Sequence, residues 1–169
     1  GKLTLNMEPL SLREAMESIV NIVQPEIKTK KQTFNISIRN ILSEQIYCDG
    51  IRLNQVLLNL LSNAIKFTPE GGSIDVAVPR GDGYIRTHFW VKDNGIGMSP
   101  EFQKIIFESF VREDNSRVRK TEGSGLGMTI TKYIVDKMEG SIEVHSELGK
   151  GTEFHVALDL ERVQVQEKE

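Results

Sequence analysis

The stretch Ile51-Arg52-Leu53-Asn54-Gln55-Val56-Leu57-Leu58-Asn59-Leu60-Leu61-Ser62-Asn63-Ala64-Ile65-Lys66-Phe67 decides the architecture of this chain. It is the longest helical pattern in the sequence, capped by Asp49 and stopped by Thr68-Pro69-Glu70-Gly71-Gly72. On a helical wheel Leu53, Val56, Leu57, Leu60, Leu61, Ala64 and Ile65 fill one side, which needs a second layer to bury it. Arg52, Gln55, Asn59, Asn63 and Lys66 share an arc of about 80° on the other side. Most such stripes are solvated faces. Asn is a poor helix former, however, and a surface without a task would more cheaply carry Glu, Lys or Ala. Asn59 and Asn63, at i and i+4, set two amide oxygens side by side, with the Lys66 ammonium one turn on. Neutral oxygens suit a Mg²⁺ ion satisfied chiefly by phosphates and water, and a lysine suits a phosphate oxygen.

Working outward, Ser11-Leu12-Arg13-Glu14 reads as a capping box that opens a helix running to about residue 23. Residues 3–7 and 33–38 alternate apolar and polar as half-buried strands do, and 45–48 adds a short one. Two more strands, 73–78 and 84–91, flank the turn-forming Arg80-Gly81-Asp82-Gly83. Residues 93–127 hold glycines, charges and one short helical stretch, 101–107, and a loop that long is usually functional or disordered. A helix over 126–138 stops at Gly140, and strands 141–145 and 152–160 flank Gly149-Lys150-Gly151. These elements predict an α+β fold: a two-layer sandwich whose mixed, mostly antiparallel sheet is covered on one face by three helices. Residues 1–160 form the expected domain and 161–169 a charged, frayed tail.

Composition narrows the function classes. The 169 residues are 38% hydrophobic and 27% charged, with 21 Lys+Arg against 24 Asp+Glu for a net charge of -3. A chain of that length buries roughly two-thirds of its surface and needs no covalent staples. The lone Cys48 offers no disulfide framework, fits a reducing compartment, and reads as a small buried residue. No apolar run approaches the roughly 20 residues of a membrane span, and Gly1-Lys2-Leu3 does not begin a secretory signal, so a cytoplasmic location is expected. Without a dominant basic stripe, nucleic acid is not an expected partner, although the positive charge around residues 112–120 needs a reason.

The glycines sharpen the helical stripe into a site. Asp93-Asn94-Gly95-Ile96-Gly97-Met98 ends a strand with a carboxylate and two glycines, so an acceptor is held where backbone can approach a flat ligand closely. Gly123-Ser124-Gly125-Leu126-Gly127 opens a helix whose free N–H groups and dipole favour an anion. Gly149-Lys150-Gly151-Thr152 joins the last two strands. An ordinary turn, a glycine-capped helix start and a hairpin would explain each of these separately. Together, an Asn pair suited to Mg²⁺, a carboxylate for an amino group and a glycine-rich anion cradle describe a purine nucleotide with its metal and phosphates. The spacing fits neither a P-loop nor the dinucleotide fingerprint, and the eukaryotic-type protein kinase set is absent.

In this order the motifs resemble the catalytic, ATP-binding domain of two-component sensor histidine kinases, within the superfamily that includes gyrase, Hsp90 and MutL. The likeness extends over residues 3–160. It implies an N box at Asn59 to Lys66, within the stretch Leu57 to Phe67, with Asn63 holding Mg²⁺, Asn59 supporting metal and phosphates, Lys66 meeting the phosphate chain and Phe67 beside the nucleotide. It further implies that Asp93 accepts from the adenine amino group, with Gly95, Gly97 and Met98 in the first glycine box. Phe107-Glu108-Ser109-Phe110 is similar to the F box, Gly123, Ser124, Gly125, Leu126 and Gly127 to the second glycine box, and the stretch ending in Thr152 to the last. Arg112, Arg117 and Arg119 would lie in or beside a mobile lid over the γ-phosphate, spanning about 113–122, with Arg112 counted among the catalytic residues.

One position separates two chemistries. Hydrolysing members of the superfamily carry a Glu four residues before the metal-binding Asn, and here that position is Asn59. An amide has no useful basicity, so the sequence favours transfer of the γ-phosphoryl group to a histidine over ATP hydrolysis. His88, His145 and His155 all fall in strand patterns and read as structural or surface residues. The family's acceptor sits on a helical dimerisation hairpin, so the chain reads as one domain of a larger kinase, for which the cytoplasmic part of a membrane-bound sensor is one form the resemblance allows. The implied partners are that hairpin and a response-regulator receiver domain, with the isolated domain monomeric. Two alternatives stay open: a nucleotide-binding regulatory module without transfer activity, and a hydrolytic ATPase.

Overall fold

A computed structural model describes residues 3–38, 45–78, 86–108 and 126–163. Four strands and two long helices come first in the chain: β1 (Glu8–Ser11), α1 (Leu12–Thr29), β2 (Thr33–Ile38), β3 (Gln45–Cys48), α2 (Gly50–Phe67) and β4 (Ser73–Val78). After them come β5 (Arg86–Asp93), α3 (Pro100–Ile105), α4 (Leu126–Lys137), β6 (Ser141–Glu147), β7 (Gly151–Asp159) and β8 (Glu161–Arg162). The main sheet has the order β2-β4-β5-β7-β6, with β2 and β4 parallel and the other pairs antiparallel. Helices α1, α2 and α4 cover one face. The expected α+β two-layer sandwich is therefore the fold observed.

The core lies between the layers. Seven α2 side chains, Leu53 to Ile65, meet Ile74, Val76, Phe89, Val91, Phe154 and Val156 of the central strands. On the other side of the sheet, His155 stacks on Trp90 with ring centroids 3.7 Å apart, and His88 Nδ1 lies 2.7 Å from His155 Nε2. Burial and the neighbouring His88 hold the His155 imidazole below its ordinary pKa. His145 is exposed beside Glu143. All three histidines thus sit on strands, none on a helix.

Four elements differ from the sequence reading. Helix α1 runs to Thr29 instead of residue 23, straight through Pro25. Its buried stripe of Leu12, Met16, Ile19, Val23 and Ile27 continues past the proline. Burying Ile27 contributes about 1.5–3 kcal/mol, the same size as the roughly 3 kcal/mol that a mid-helix proline costs. Residues 3–7 are not a strand: pairing begins at Glu8, as β1 takes the edge of a second sheet, β1-β3-β8, a position that tolerates Pro9, which has no N–H to donate. The expected tail does not begin at Glu161, because Glu161 and Arg162 pair with Tyr47 and Ile46, and Val163 N–H donates to Gln45 O. Finally, the strand expected to end at residue 91 continues as β5, Arg86–Asp93, up to the glycine motif, residues 84 and 85 lying outside the described residues. The turn at 80–83 lies outside the described residues.

Candidate functional site

Helix α2 builds one wall of a cavity of about 280 Å³, through Asn59, Ser62, Asn63 and Lys66 at i, i+3, i+4 and i+7. Phe67 joins them at the helix end. That end is held from behind. Lys30 Nζ donates to the carbonyls of Ile65 (2.6 Å) and Thr68 (3.1 Å), and Gln32 Nε2 donates to the same two oxygens at 3.0 and 2.7 Å. The last carbonyls of a helix lack intrahelical partners, so these two side chains fix where Asn63, Lys66 and Phe67 stand. Asn63 is half-buried and has no hydrogen-bond partner among the described residues. The Lys66 ammonium lies 5.5 Å from the Phe67 ring centroid.

Asn59 is oriented by proton bookkeeping. The fully buried Thr131 on α4 gives its hydroxyl proton to Gly127 O at 2.6 Å, so its Oγ1 can only accept from Asn59. The Asn59 atom 3.1 Å away is therefore Nδ2, which also reaches Gly127 O at 3.4 Å. Oδ1 is left for a ligand. The N-terminal turn of α4 is thereby fastened to the polar stripe of α2, with Gly127 and Met128 on the cavity wall.

The opposite end is made by β5, β7 and the loop that follows β5. Asp93, 8% exposed, closes β5 and pairs with Thr152, 7% exposed, across the β5–β7 register. Asp93 Oδ1 accepts from Gly95 N–H at 2.8 Å, and the carboxylate also accepts from the Thr152 backbone. Burial nonetheless pushes the Asp93 carboxyl above the ordinary aspartate range, the two backbone donors pulling it back down. Two glycines make the approach possible. A Cβ on Gly95 would land on the carbonyl of Phe67, and Gly97, at φ +73°, has its backbone against the carbonyl of Glu147. Ile96 N–H donates to Phe67 O and Gly149 N–H to Ile96 O, at 3.2 and 2.8 Å, so the loop bridges α2 to the β6–β7 hairpin. Ile96, Met98, Phe102, Ile106 and Phe154 supply apolar walls for a flat ring.

Of the residues singled out from sequence, Asn59, Asn63, Lys66, Phe67, Asp93, Gly97, Met98, Gly127 and Thr152 surround this one cavity. Gly95 stands behind its wall, bonded to Asp93. Phe107 is not on the wall; its ring packs edge-on against Phe154, 6.5 Å between centroids. Leu126 is the first residue of α4. Arg112, Arg117, Arg119, Gly123, Ser124 and Gly125 lie outside the described residues, as does the lid expected over 113–122. Sequence reasoning missed Ser62, although its spacing from Asn59 and Lys66 placed it on the same stripe. It also missed Lys30, Gln32, Thr131 and Ser146, isolated polar residues whose partners are distant in the chain. Among the described residues, no group of three His, Cys, Asp or Glu side chains is arranged to hold a metal, and no helix is long and apolar enough to cross a membrane. The side-chain oxygens at the cavity are the amides of Asn59 and Asn63, the hydroxyls of Ser62 and Thr152 and one buried carboxylate, a set that fits a Mg²⁺ ion held mainly by phosphates and water.

Comparison with known proteins agrees with this geometry. The profile of the family described as histidine kinase-, DNA gyrase B-, and HSP90-like ATPase matches residues 48–162. The chain is 36% identical over 172 residues to the autoinducer 2 sensor kinase/phosphatase LuxQ of Vibrio vulnificus, covering 99% of this chain and 20% of that protein. It is 33% identical over 165 residues to the signal transduction histidine-protein kinase BarA of Escherichia coli, covering 95% and 18%. The chain thus spans about a fifth of the length of these curated relatives. Among solved structures, full-length ShkA in complex with AMPPNP superposes with a TM-score of 0.80 at 29% identity, over 98% of this chain and 33% of that one. The catalytic domain of histidine kinase ThkA gives 0.77 at 26% identity, over 92% and 96%.

Proposed function

Because the chain belongs to the family of histidine kinase-, DNA gyrase B- and HSP90-like ATPases, we propose that it binds Mg²⁺-ATP and is the catalytic domain of a sensor histidine kinase. Residues 1–160, together with the β8 strand that pairs with β3, are assigned to that domain. Adenine enters the apolar slot between Met98, Phe154 and Ile96, its amino group donating to Asp93. The triphosphate follows α2, where Asn59 Oδ1, Asn63 and Lys66 face the cavity, toward the N-terminus of α4, whose free N–H groups favour an anion. Asn63 would hold Mg²⁺, which supplies charge neutralisation at the phosphates. Arg112, Arg117 and Arg119 are assigned to the γ-phosphate side from sequence.

One observation carries the choice of reaction. Among the described residues lining the cavity, Asp93 is the single carboxylate, and it is assigned to the base end, where it accepts from the backbone of Gly95 and Thr152 and keeps lone pairs for the amino group. No second carboxylate among the described residues lines the cavity to take a proton from water, while a nucleophilic imidazole needs none in order to attack. The imidazole nitrogen bonds to the γ-phosphorus, the bond to the β,γ-bridging oxygen breaks, ADP leaves and the imidazole proton passes to solvent. The three histidines of the chain sit on strands of the main sheet, and because the family's acceptor sits on a helical dimerisation hairpin, we place the acceptor there, elsewhere in the parent protein. A receiver domain would then take the phosphoryl group. The LuxQ and BarA relatives, both named as sensor or signal-transduction kinases, support this reading.

The test is to incubate the chain with radiolabelled ATP, alone and with its parent hairpin. The expected result is slow phosphate release by the chain alone and an acid-labile, base-stable label on a hairpin His. Rapid phosphate release without the hairpin, or an acid-stable label, would assign the site to hydrolysis or to another acceptor.

A further inference from the structure

Ser146 belongs to none of the sequence motifs, yet its hydroxyl has three polar neighbours. Met98 N–H and Gly151 O lie at 2.8 Å and the Thr152 hydroxyl at 2.7 Å. A serine hydroxyl carries one proton and two acceptor lone pairs. The Met98 amide can only donate to it, and the Gly151 carbonyl can only accept from it. The Ser146 proton therefore goes to Gly151, and the contact with Thr152 must be donated by Thr152. A threonine also has one hydroxyl proton, so Thr152 has none left to offer the cavity that it lines. What it presents there is lone pairs. Its cross-strand partner Asp93 lines the same cavity and, when ionised, is likewise an acceptor.

We propose that Ser146 is a positioning residue for ligand choice: by taking the Thr152 proton, it leaves Asp93 and Thr152 as two acceptors that select a ring bearing an exocyclic amine. A ring with an oxo group at the same place would set its lone pairs against theirs, and its single ring N–H could pair with only one of the two acceptors, leaving the other unpaired. This rests on the nucleotide reading above and assigns part of its base preference to a residue on β6. Ser146 also steadies the loop that carries Met98. Gln103 Nε2 bonds both Ser146 O (2.9 Å) and Met98 O (3.1 Å), and the Met98 amide needs the Ser146 hydroxyl. Loosening that loop would weaken every purine alike, whereas freeing the Thr152 proton changes the ratio between purines.

The experiment is calorimetric titration of the chain with ATP and with inosine triphosphate, in wild type, Ser146→Ala, Thr152→Val and the double variant. The expected result is a wild-type preference for ATP that falls about ten-fold in Ser146→Ala, the size of one neutral hydrogen bond. In the Thr152→Val background, Ser146→Ala should leave the ratio unchanged. Equal loss of both nucleotides in Ser146→Ala, or the same change of ratio with Thr152 removed, would overturn the role given to Ser146 while leaving the nucleotide reading intact. A wild-type chain that binds neither triphosphate would overturn both.

Discussion

The side chains of Asn63 and Lys66 meet the cavity from α2 without a hydrogen-bond or ion-pair partner among the described residues, whereas those of Asp93 and Thr152 meet it from β5 and β7 already held by hydrogen bonds to their neighbours. The α2 groups are half-buried or exposed, and the strand groups are less than a tenth exposed. The difference follows from what each end has to do. A phosphate chain and its metal arrive with their own charges and waters, so the side chains that receive them are best left unspent. A purine edge is read by a small number of hydrogen bonds, and those discriminate only if donors and acceptors cannot rotate to suit the wrong ring. Preorganisation at the strand end therefore costs packing freedom, and freedom at the helix end costs little.

If that contrast is right, a substitution that displaces the backbone at the strand end should damage fold and binding together. The largest effect is expected for Gly97→Ala. A left-handed backbone costs a residue with a Cβ about 1–2 kcal/mol, and here the Cβ would also strike the Glu147 carbonyl. Gly149→Ala is the matched control, at φ +81° with nothing within 4 Å of the added atom. Thermal unfolding should show Gly97→Ala losing clearly more stability than Gly149→Ala, and ATP binding should fail in the first only. Equal losses would mean that the loop after β5 is not tightly seated.

At the helix end the expectation is reversed. Asn63→Ala should abolish phosphoryl transfer to a supplied hairpin while changing unfolding stability by no more than about 0.5 kcal/mol, as befits a surface substitution. Paired assays of transfer and of melting temperature check this. A large fall in stability would show that Asn63 supports the fold and is not held in reserve for a ligand.

A smaller and subtler effect distinguishes the ends by pH. Burial raises the folded-state pKa of Asp93 above its unfolded value, so the folded protein binds that proton more tightly than the unfolded chain does. The ionised group therefore costs stability above the raised value, and the cost fades as pH falls through the window between the ordinary and the raised pKa. Asp93→Asn should accordingly melt higher than wild type at neutral pH, with the gap closing on acidification, and should bind ATP less well. A gap that widened in acid would contradict the burial argument.

The two ends also differed in how much of them the sequence disclosed. Asn59, Asn63 and Lys66 lie within eight residues of one another on one helix, so a wheel was enough to assemble them. Asp93 and Thr152 are 59 residues apart and were linked only through a family resemblance; strand register brought them together. Ser146, Thr131, Lys30 and Gln32 left no local trace, because a single polar residue in a strand or helix looks the same whether its partner is water or a carbonyl 30 residues away. For the fold, the apolar periodicities located the main elements. The extension of α1 beyond Pro25 and the small β1-β3-β8 sheet depended on burial and pairing that a local pattern does not encode.

The account stands most directly on whether the strand end reads a nucleotide base. Calorimetric titration of ATP into wild type and Asp93→Ala, in the presence of magnesium, addresses that in one comparison. Loss of a hydrogen bond to a charged group, worth about 1.5–3 kcal/mol, should weaken binding on the order of ten- to a hundred-fold, with the variant still folded by circular dichroism. Undiminished ATP affinity in a folded Asp93→Ala protein would contradict the assignment of this cavity to the base and, with it, the direction in which the phosphates have been laid along α2.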